Sequence, residues 1–380
     1  MNNEKCYGAI DIGSNAVRLL IKRLVTDPAT GLQVLNKELL LRYPLRLGFD
    51  VFSEGKISRE KGRNLQRLMQ AYRNLMDIYG VDQYRACATS AMRDSKNGQK
   101  LIKKIKKTAD IKIDIIDGQE EARIVYDNHL ECLEDRTGNY MYVDVGGGST
   151  EVNLLVDGEL VYSKSFNIGT IRILTGGVTE GAWQRMKDEI VDHTRQFGTI
   201  NIIGSGGNIN KLYKLIDEKD KTRKRISIKS LQEIYDQLAP LTPEERSEKF
   251  GLRTDRADVI EPAGRIFLTL AEAIRAQYIY VPVIGIADGI IDSLLSEDIE
   301  KAERKAQKNA RKQAKAAEKS DEEEKDGTDA QADNGPTSSE EPVTTPAADA
   351  QRTADAEPAQ VDAPDEREDT DNEATPAKPD

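Results

Sequence analysis

The chain has 380 residues, room for two ordinary domains, with a net charge of −11 and 38% hydrophobic residues. The charge is uneven: residues 301–380 hold 12 Lys and Arg against 22 Asp and Glu, and no aromatic residue follows Tyr280, so residues 1–300 are close to neutral and the acidic total says nothing about their ligand. Two histidines exclude a His/Asp-rich metal phosphohydrolase domain, and Cys6, Cys87 and Cys132 have neither metal spacing nor a disulfide framework.

In chain order, residues 6–25 read as a hairpin and 31–43 as a further strand, followed by a loop over 44–55. A helix starts at the N-cap candidate Ser58, with Leu65, Leu68, Met69, Tyr72, Leu75, Met76 and Tyr79 at helical spacing, and Gly80 ends it. Residues 84–88 form a strand, and the loop ATSAMRD presents Arg93. Lys103, Lys104, Lys106 and Lys107 then follow on a helix, as a solvated face or as part of a polyanion track. Residues 111–116 are a strand, and Asp117-Gly118 turns into a helix with Glu120 and Glu121 in its first turn, where the helix dipole favours acids in any case.

Strands over 141–145 and 151–156 flank a Gly-rich turn, and 160–166 adds another. A loop NIGTIRI comes next, then a helix over 182–197 that holds the single Trp, Trp183, as a packing residue. A strand over 200–204 runs into Ser205-Gly206-Gly207 and a helix from near Asn208, an anion or nucleotide site by its geometry. Helices over 230–238 and 243–250, a loop RTDRADVIEP, a helix over about 262–278, a strand over 281–286 and a helix over 288–295 complete the folded part. Cys6 and Cys87 fall in or near strands and read as small buried hydrophobes.

The chemistry centres on VDVGGGSTEV. Glycines allow positive φ and close approach of backbone N–H groups to an anion, and Gly146, Gly147, Gly148 and Ser149 lie between two strands as a phosphate cradle. Asp144 and Glu151 flank it. Two carboxylates beside a phosphate call for a hard cation, Mg²⁺ with Mn²⁺ as the other candidate, and they are its expected ligands. A plain hairpin is the competing reading. Asp11 meets a similar turn in DIGSN, with Ser14 and Asn15 as phosphate contacts and Asp11 as a metal contact through water. Two such hairpins suggest two similar lobes that close over a polyanion.

The pairing resembles the actin-like ATPase superfamily. DIGSNAVRLLI, CATSAMRD, GQEEARIVY, VDVGGGSTE and IIGSGGNI, in that order, resemble the exopolyphosphatase / guanosine pentaphosphate phosphohydrolase family over roughly residues 5 to 297. The resemblance implies an α/β fold of two actin-like, ribonuclease H-like lobes with a cleft between them, over 1–123 and 124–298. It implies Mg²⁺-dependent phosphoanhydride hydrolysis with Glu121 as general base, favours Arg93 as the guanidinium that neutralises the transferred group, and suggests a homodimer. The implied substrates are inorganic polyphosphate or guanosine pentaphosphate. A sugar-kinase-like or nucleotide-switch protein is an alternative of another class. The family usually has Thr at the position of Asn208 and Arg at that of Ile291. These departures weigh on nucleotide binding and on long-chain substrates respectively.

A basic Lys/Ala-rich helical segment over 299–320 leads into an acidic tail over 321–380 with too little apolar surface to fold. The basic segment reads as a solubilising tail or as an electrostatic contact for polyphosphate or nucleic acid; no specific nucleic-acid site is expected. No signal-type segment is present and no apolar stretch reaches about 18 residues. A cytoplasmic location without a membrane partner is the expectation.

Overall fold

A computed structural model describes residues 4–126, 138–282 and 285–326, those at 125–126 and after 313 as backbone only. The chain divides into two compact units, 1–313 and 314–380, and all that follows concerns the first. His129 and Cys132 lie outside the described residues, as does the acidic tail beyond 326.

Lobe I opens with β1 (Cys6–Ile12), β2 (Val17–Thr26) and β3 (Gln33–Tyr43), an antiparallel meander. Next come α1 (Leu47–Glu54), α2 (Arg59–Ile78), β4 (Gln83–Ala88), α3 (Ser90–Asp94), α4 (Gly98–Ala109), β5 (Ile113–Ile115) and α5 (Gly118–Tyr126). Its sheet runs β3-β2-β1-β4-β5, with β1, β4 and β5 parallel. The α2 helix is capped as its sequence suggests: the Ser58 hydroxyl accepts the Lys61 N–H and Gly80 turns the chain at φ +63°. Its Leu65, Met69, Tyr72 and Met76 are buried against the sheet, and each contributes about 1.5–3 kcal/mol of burial free energy.

Lobe II repeats the pattern. It holds β6 (Asn139–Val145), β7 (Thr150–Val156), β8 (Glu159–Phe166), α6 (Thr170–Leu174), α7 (Glu180–Thr194), β9 (Ile200–Ser205), α8 (Gly207–Leu215), β10 (Arg225–Ser227), α9 (Ile228–Leu238), α10 (Pro243–Phe250), α11 (Thr254–Ala257), α12 (Ile260–Ile274) and β11 (Tyr278–Tyr280). The order β8-β7-β6-β9-β11 matches that of lobe I strand for strand, and β10 is added at the far edge. Trp183 is buried in this lobe's core with the Arg265 guanidinium 4.8 Å from its ring centre, a packing role as expected.

The last helix, α13 (Ile286–Asp326), returns to lobe I. Ala287, Ile290, Ile291 and Leu294 cover the face of the first sheet made by Tyr7, Ala9, Leu20 and Cys87. Cys6 and Cys87 are buried free thiols, and burial pushes Cys87 up to about 12.

Several expectations need correction. Residues 44–55 are not a loop but contain α1, opened by Arg46 in the left-handed region and closed by Gly55. ATSAMRD contains α3, NIGTIRI contains α6, and RTDRADVIEP contains α11 and the start of α12. The final helix of lobe II stops at Ile274, because Arg275 adopts φ +53°. The strand expected over 281–286 lies earlier, as β11 at Tyr278–Tyr280, parallel to β9, so that only Tyr278 of the expected helix end falls in it, and Pro282 beyond it has no N–H for a ladder. Among the described residues no helix is long and apolar enough to cross a membrane.

Candidate active site

The two hairpin turns face each other at the C-terminal ends of β1 and β6. In lobe I, Asp11 lies opposite Arg18 in the β1–β2 ladder and one of its oxygens accepts from that guanidinium. The turn closes through Gly13 N–H to Ala16 O at 3.1 Å. In lobe II, Asp144 lies opposite Glu151, and the turn closes through Gly146 N–H to Ser149 O at 3.0 Å. Ser14 bridges lobe I internally. Its hydroxyl is 2.9 Å from that of Ser90 and accepts the Ala91 N–H at 3.1 Å.

The glycines serve close approach and not positive φ, which none of Gly146, Gly147 and Gly148 adopts. A Cβ on Gly147 would lie 2.9 Å from Ser14 Cβ and 3.1 Å from Ile171. One on Gly148 would lie 2.4 Å from both Phe52 and Ser90. Asp11, Ser14, Asn15, Glu121, Asp144, Gly146, Gly147 and Ser149 all line one cleft of about 280 Å³. Gly148, Glu151 and Arg93 are not among its lining residues. Gly148 is packed under α1 and accepts from Arg172 Nε through its carbonyl at 2.7 Å.

Glu121 rides on α5, whose first turn is capped by Asp117, which accepts Gln119 N–H and Glu120 N–H at 3.0 and 2.8 Å. Its neighbour Glu120 turns outward to Arg85, whereas Glu121 is 4% exposed. The α5 helix packs on β7 and β8, with Asn153 Nδ2 donating to Ala122 O at 3.0 Å. That packing brings Glu121 near the Asp144–Glu151 pair. Burial, then Glu151 and Asp144, push its pKa well up, and Arg93 opposes them. Arg93 Nη1 donates to Ile116 O at 2.8 Å and stands 3.8 Å from Glu121 Oε2. Burial and Glu151 push Asp144 up to about 7, against the pull of Arg18. Glu151 is raised by burial too, eased by hydrogen bonds from Ser149 and Ser165. Oxygens of Asp11, Glu121 and Glu151 stay buried without a hydrogen-bond partner.

Facing these acids is a wall of arginines that the sequence reading did not single out. Arg18, Arg42 and Arg256 line the same cleft. Arg256 crosses the N-terminus of α8, donates to Asn208 Oδ1 at 2.6 Å, and occupies the space a Cβ on Gly207 would need. Burial and then Arg42 and Arg18 hold it down to about 9. Half-buried Arg42 pairs with Asp255 at 2.6 Å but leaves two of its nitrogens without partners. Crowded cations with unused donors are arranged for an anion.

A model of the Ppx/GppA phosphatase family matches residues 30–298. The chain belongs to that family. A guanosine-5'-triphosphate,3'-diphosphate pyrophosphatase of Aeromonas hydrophila is 25% identical over 289 residues, 72% of this chain and 56% of its own length. The chain thus spans little more than half of that relative. A putative exopolyphosphatase of Haemophilus influenzae is 22% identical over 287 residues, 72% of this chain and 87% of its own. Among solved structures, an exopolyphosphatase from Cytophaga hutchinsonii superposes with a TM-score of 0.68 at 23% identity, covering 77% of this chain and 98% of that one. A family member from Aquifex aeolicus gives 0.62 at 24% identity, covering 77% and 99%. The likeness fixes the two-lobed actin-like fold.

In this Ppx/GppA chain the buried oxygens of Asp11, Glu121 and Glu151 that have no hydrogen-bond partner are hard donors of the kind a divalent cation takes. Among the described residues no group of three or more His, Cys, Asp or Glu is arranged to hold a metal. Asp11 stands apart because Arg18 takes one of its oxygens. A magnesium site with one or two protein carboxylates, completed by water and substrate phosphate, is the common arrangement for this ion.

Proposed function

We propose that this cleft hydrolyses the terminal phosphoanhydride of inorganic polyphosphate. The observation that carries the reading is the position of Glu121, a buried carboxylate with an unpartnered oxygen at the meeting of two facing phosphate turns. Backbone N–H groups at Gly147 and Ser149, in the turn that Gly146 N–H closes, hold the terminal phosphates with Ser14 and Asn15. Asp144 and Glu151, with Asp11 beside them, would hold Mg²⁺ or Mn²⁺, and the ion when bound would neutralise phosphate charge. Glu121 takes a proton from water as the water oxygen bonds to the terminal phosphorus. The bridging P–O bond breaks on the opposite side, and its electron pair leaves with the shortened chain. Arg93, 3.8 Å from Glu121 Oε2, favours the ionised base.

Removal of the 5′-phosphate of guanosine pentaphosphate is the second reading. The Aeromonas relative's name favours it, and the chemistry is the same. A sugar-kinase or nucleotide-switch role fits less well. It would use the α8 N-terminus for a nucleoside, and Arg256 already occupies the space beside Gly207.

The test is phosphate release with Mg²⁺ from short polyphosphate, long polyphosphate and guanosine pentaphosphate, repeated with EDTA and with Glu121→Gln. Release from polyphosphate that disappears in both controls supports the proposal. The variant should lose a factor of about 10²–10⁴ in turnover while substrate affinity persists. Release from guanosine pentaphosphate alone transfers the same roles to that substrate, and a nearly active Glu121→Gln removes the general base.

A further inference from the structure

We infer that the exposed basic face of α13 is a docking track for the chain of an inorganic polyphosphate, outside the catalytic cleft. The inference rests on polyphosphate being the substrate. Lys301, Arg304, Lys305, Lys308, Arg311 and Lys312 are all exposed. At about 100° per residue they fall within an arc of about 120° on one side of the helix. Ala302, Ala306 and Ala310 occupy the other side. The six cations extend about 16 Å along the axis.

The stripe has cations in surplus. Lys301 and Arg304 make exposed pairs with Glu297 and Glu300 at 3.1 and 3.2 Å, of the readily exchanged kind. Among the described residues, Lys305, Lys308, Arg311 and Lys312 have no ion-pair partner. Like charges three and four residues apart disfavour a helix on its own, and a multivalent anion laid along the stripe would relieve that repulsion. The stripe is also held in place. Three residues before Lys301, less than one turn upstream, Asp298 accepts from Lys5 at 2.8 Å and Tyr7 at 2.9 Å, and Gln83 donates to both its oxygens.

The root of this helix is at the cleft, where Asp288 lines the wall. Lys301 lies about 20 Å further along the axis. A long substrate could therefore be held by its body on α13 while its end is cleaved, whereas tripolyphosphate could reach only the cleft. Inorganic polyphosphate fits this face better than single-stranded nucleic acid does. Single-strand sites add aromatic platforms on which bases stack, and this chain has no aromatic residue after Tyr280.

The experiment compares the full chain with its K305Q/K308Q/R311Q/K312Q variant, both carrying Glu121→Gln so that the polymer is not consumed. Binding to polyphosphate of several hundred units, to tripolyphosphate and to single-stranded RNA is measured from 50 to 200 mM salt. The expected result is a loss of tenfold or more in long-chain affinity with tripolyphosphate affinity unchanged. The log–log salt slope should become shallower by about two to three, as for four lost phosphate contacts. With Glu121 restored, the four substitutions should leave tripolyphosphate turnover and melting temperature unchanged. Unaltered long-chain affinity and slope would overturn the inference. So would RNA binding that is tighter than polyphosphate binding and lost in parallel, which would make this a nucleic-acid face. Binding is read without turnover, so failure of the hydrolytic reading and failure of the track are separate outcomes.

Discussion

At the scale of single residues, the cleft depends on atoms that are absent as much as on those present. Gly147 is the case within the cleft wall, since a Cβ there would lie 2.9 Å from Ser14 Cβ and 3.1 Å from Ile171. Gly147→Ala should force the facing turns apart and raise KM for polyphosphate at least tenfold, with a stability cost of about 1–3 kcal/mol; steady-state kinetics beside a urea melt would read both. Arg256→Gln removes a desolvated cation from the anion-facing wall. A charge-assisted contact is worth about 1.5–3 kcal/mol, so a ten- to hundredfold loss of substrate affinity is expected, measured by calorimetry with a non-hydrolysable polyphosphate. That Gly146, Gly147, Asp11 and Asp144 share one cleft was legible because turn chemistry is local, whereas Gly148 and Glu151, expected beside them, are not among its lining residues. Glu121 was legible only through family resemblance, because two acids in a first helical turn look alike in sequence. What separates them is tertiary: Glu120 reaches Arg85, and Glu121 is buried by β7 and β8. Arg18, Arg42 and Arg256 were missed because their convergence depends on strand register and on how the lobes meet.

At the scale of elements, the long periodic segments were read correctly and the short ones were not. The α2 helix has its cap, stripe and stop in the sequence. The α1, α3, α6 and α11 helices are eight residues or fewer, too short to show a period, and tertiary contacts define them. The strand β11 was expected at 281–286 and not at Tyr278–Tyr280, because three residues, two of them Tyr, carry no alternation to set its bounds. The attachment of α13 gives a pH prediction. Hydrogen bonds from Lys5, Gln83 and Tyr7 hold the Asp298 carboxyl down to about 2, from an ordinary 3.8. The sign is that of a depressed acid: its contribution is whole above about pH 4 and is lost as pH falls toward 2. Asp298→Ala should cost up to about 2 kcal/mol at pH 7, and urea melts of the two proteins should converge near pH 2.

At the scale of the whole molecule, the repeated five-strand order places two equivalent turns face to face, and polar contacts draw the lobes together on the arginine side. Arg42 pairs with Asp255, Arg46 pairs with Asp258, and Asn15 Nδ2 donates to the Asp255 carbonyl at 3.2 Å. These join β3 and the first turn to α11 and its C-terminal end. Asp258→Ala leaves the catalytic groups untouched and should loosen the closed arrangement. The expectation is a larger radius of gyration by solution scattering without substrate, recovered when polyphosphate is added. A radius equal to that of the parent would assign the pair to local packing.

The return of α13 to the first sheet also sets a schedule for synthesis. Lobe I has translated its last strand by Ile115, yet the residues that cover Tyr7, Ala9, Leu20 and Cys87 begin at Ala287 and end at Leu294. At ribosomal speeds of about 5–20 residues per second, that apolar face waits about ten to thirty seconds for its cover. A nascent chain stalled before Ala287 therefore presents a sticky surface on an otherwise finished half, and this is where chaperone dependence should concentrate.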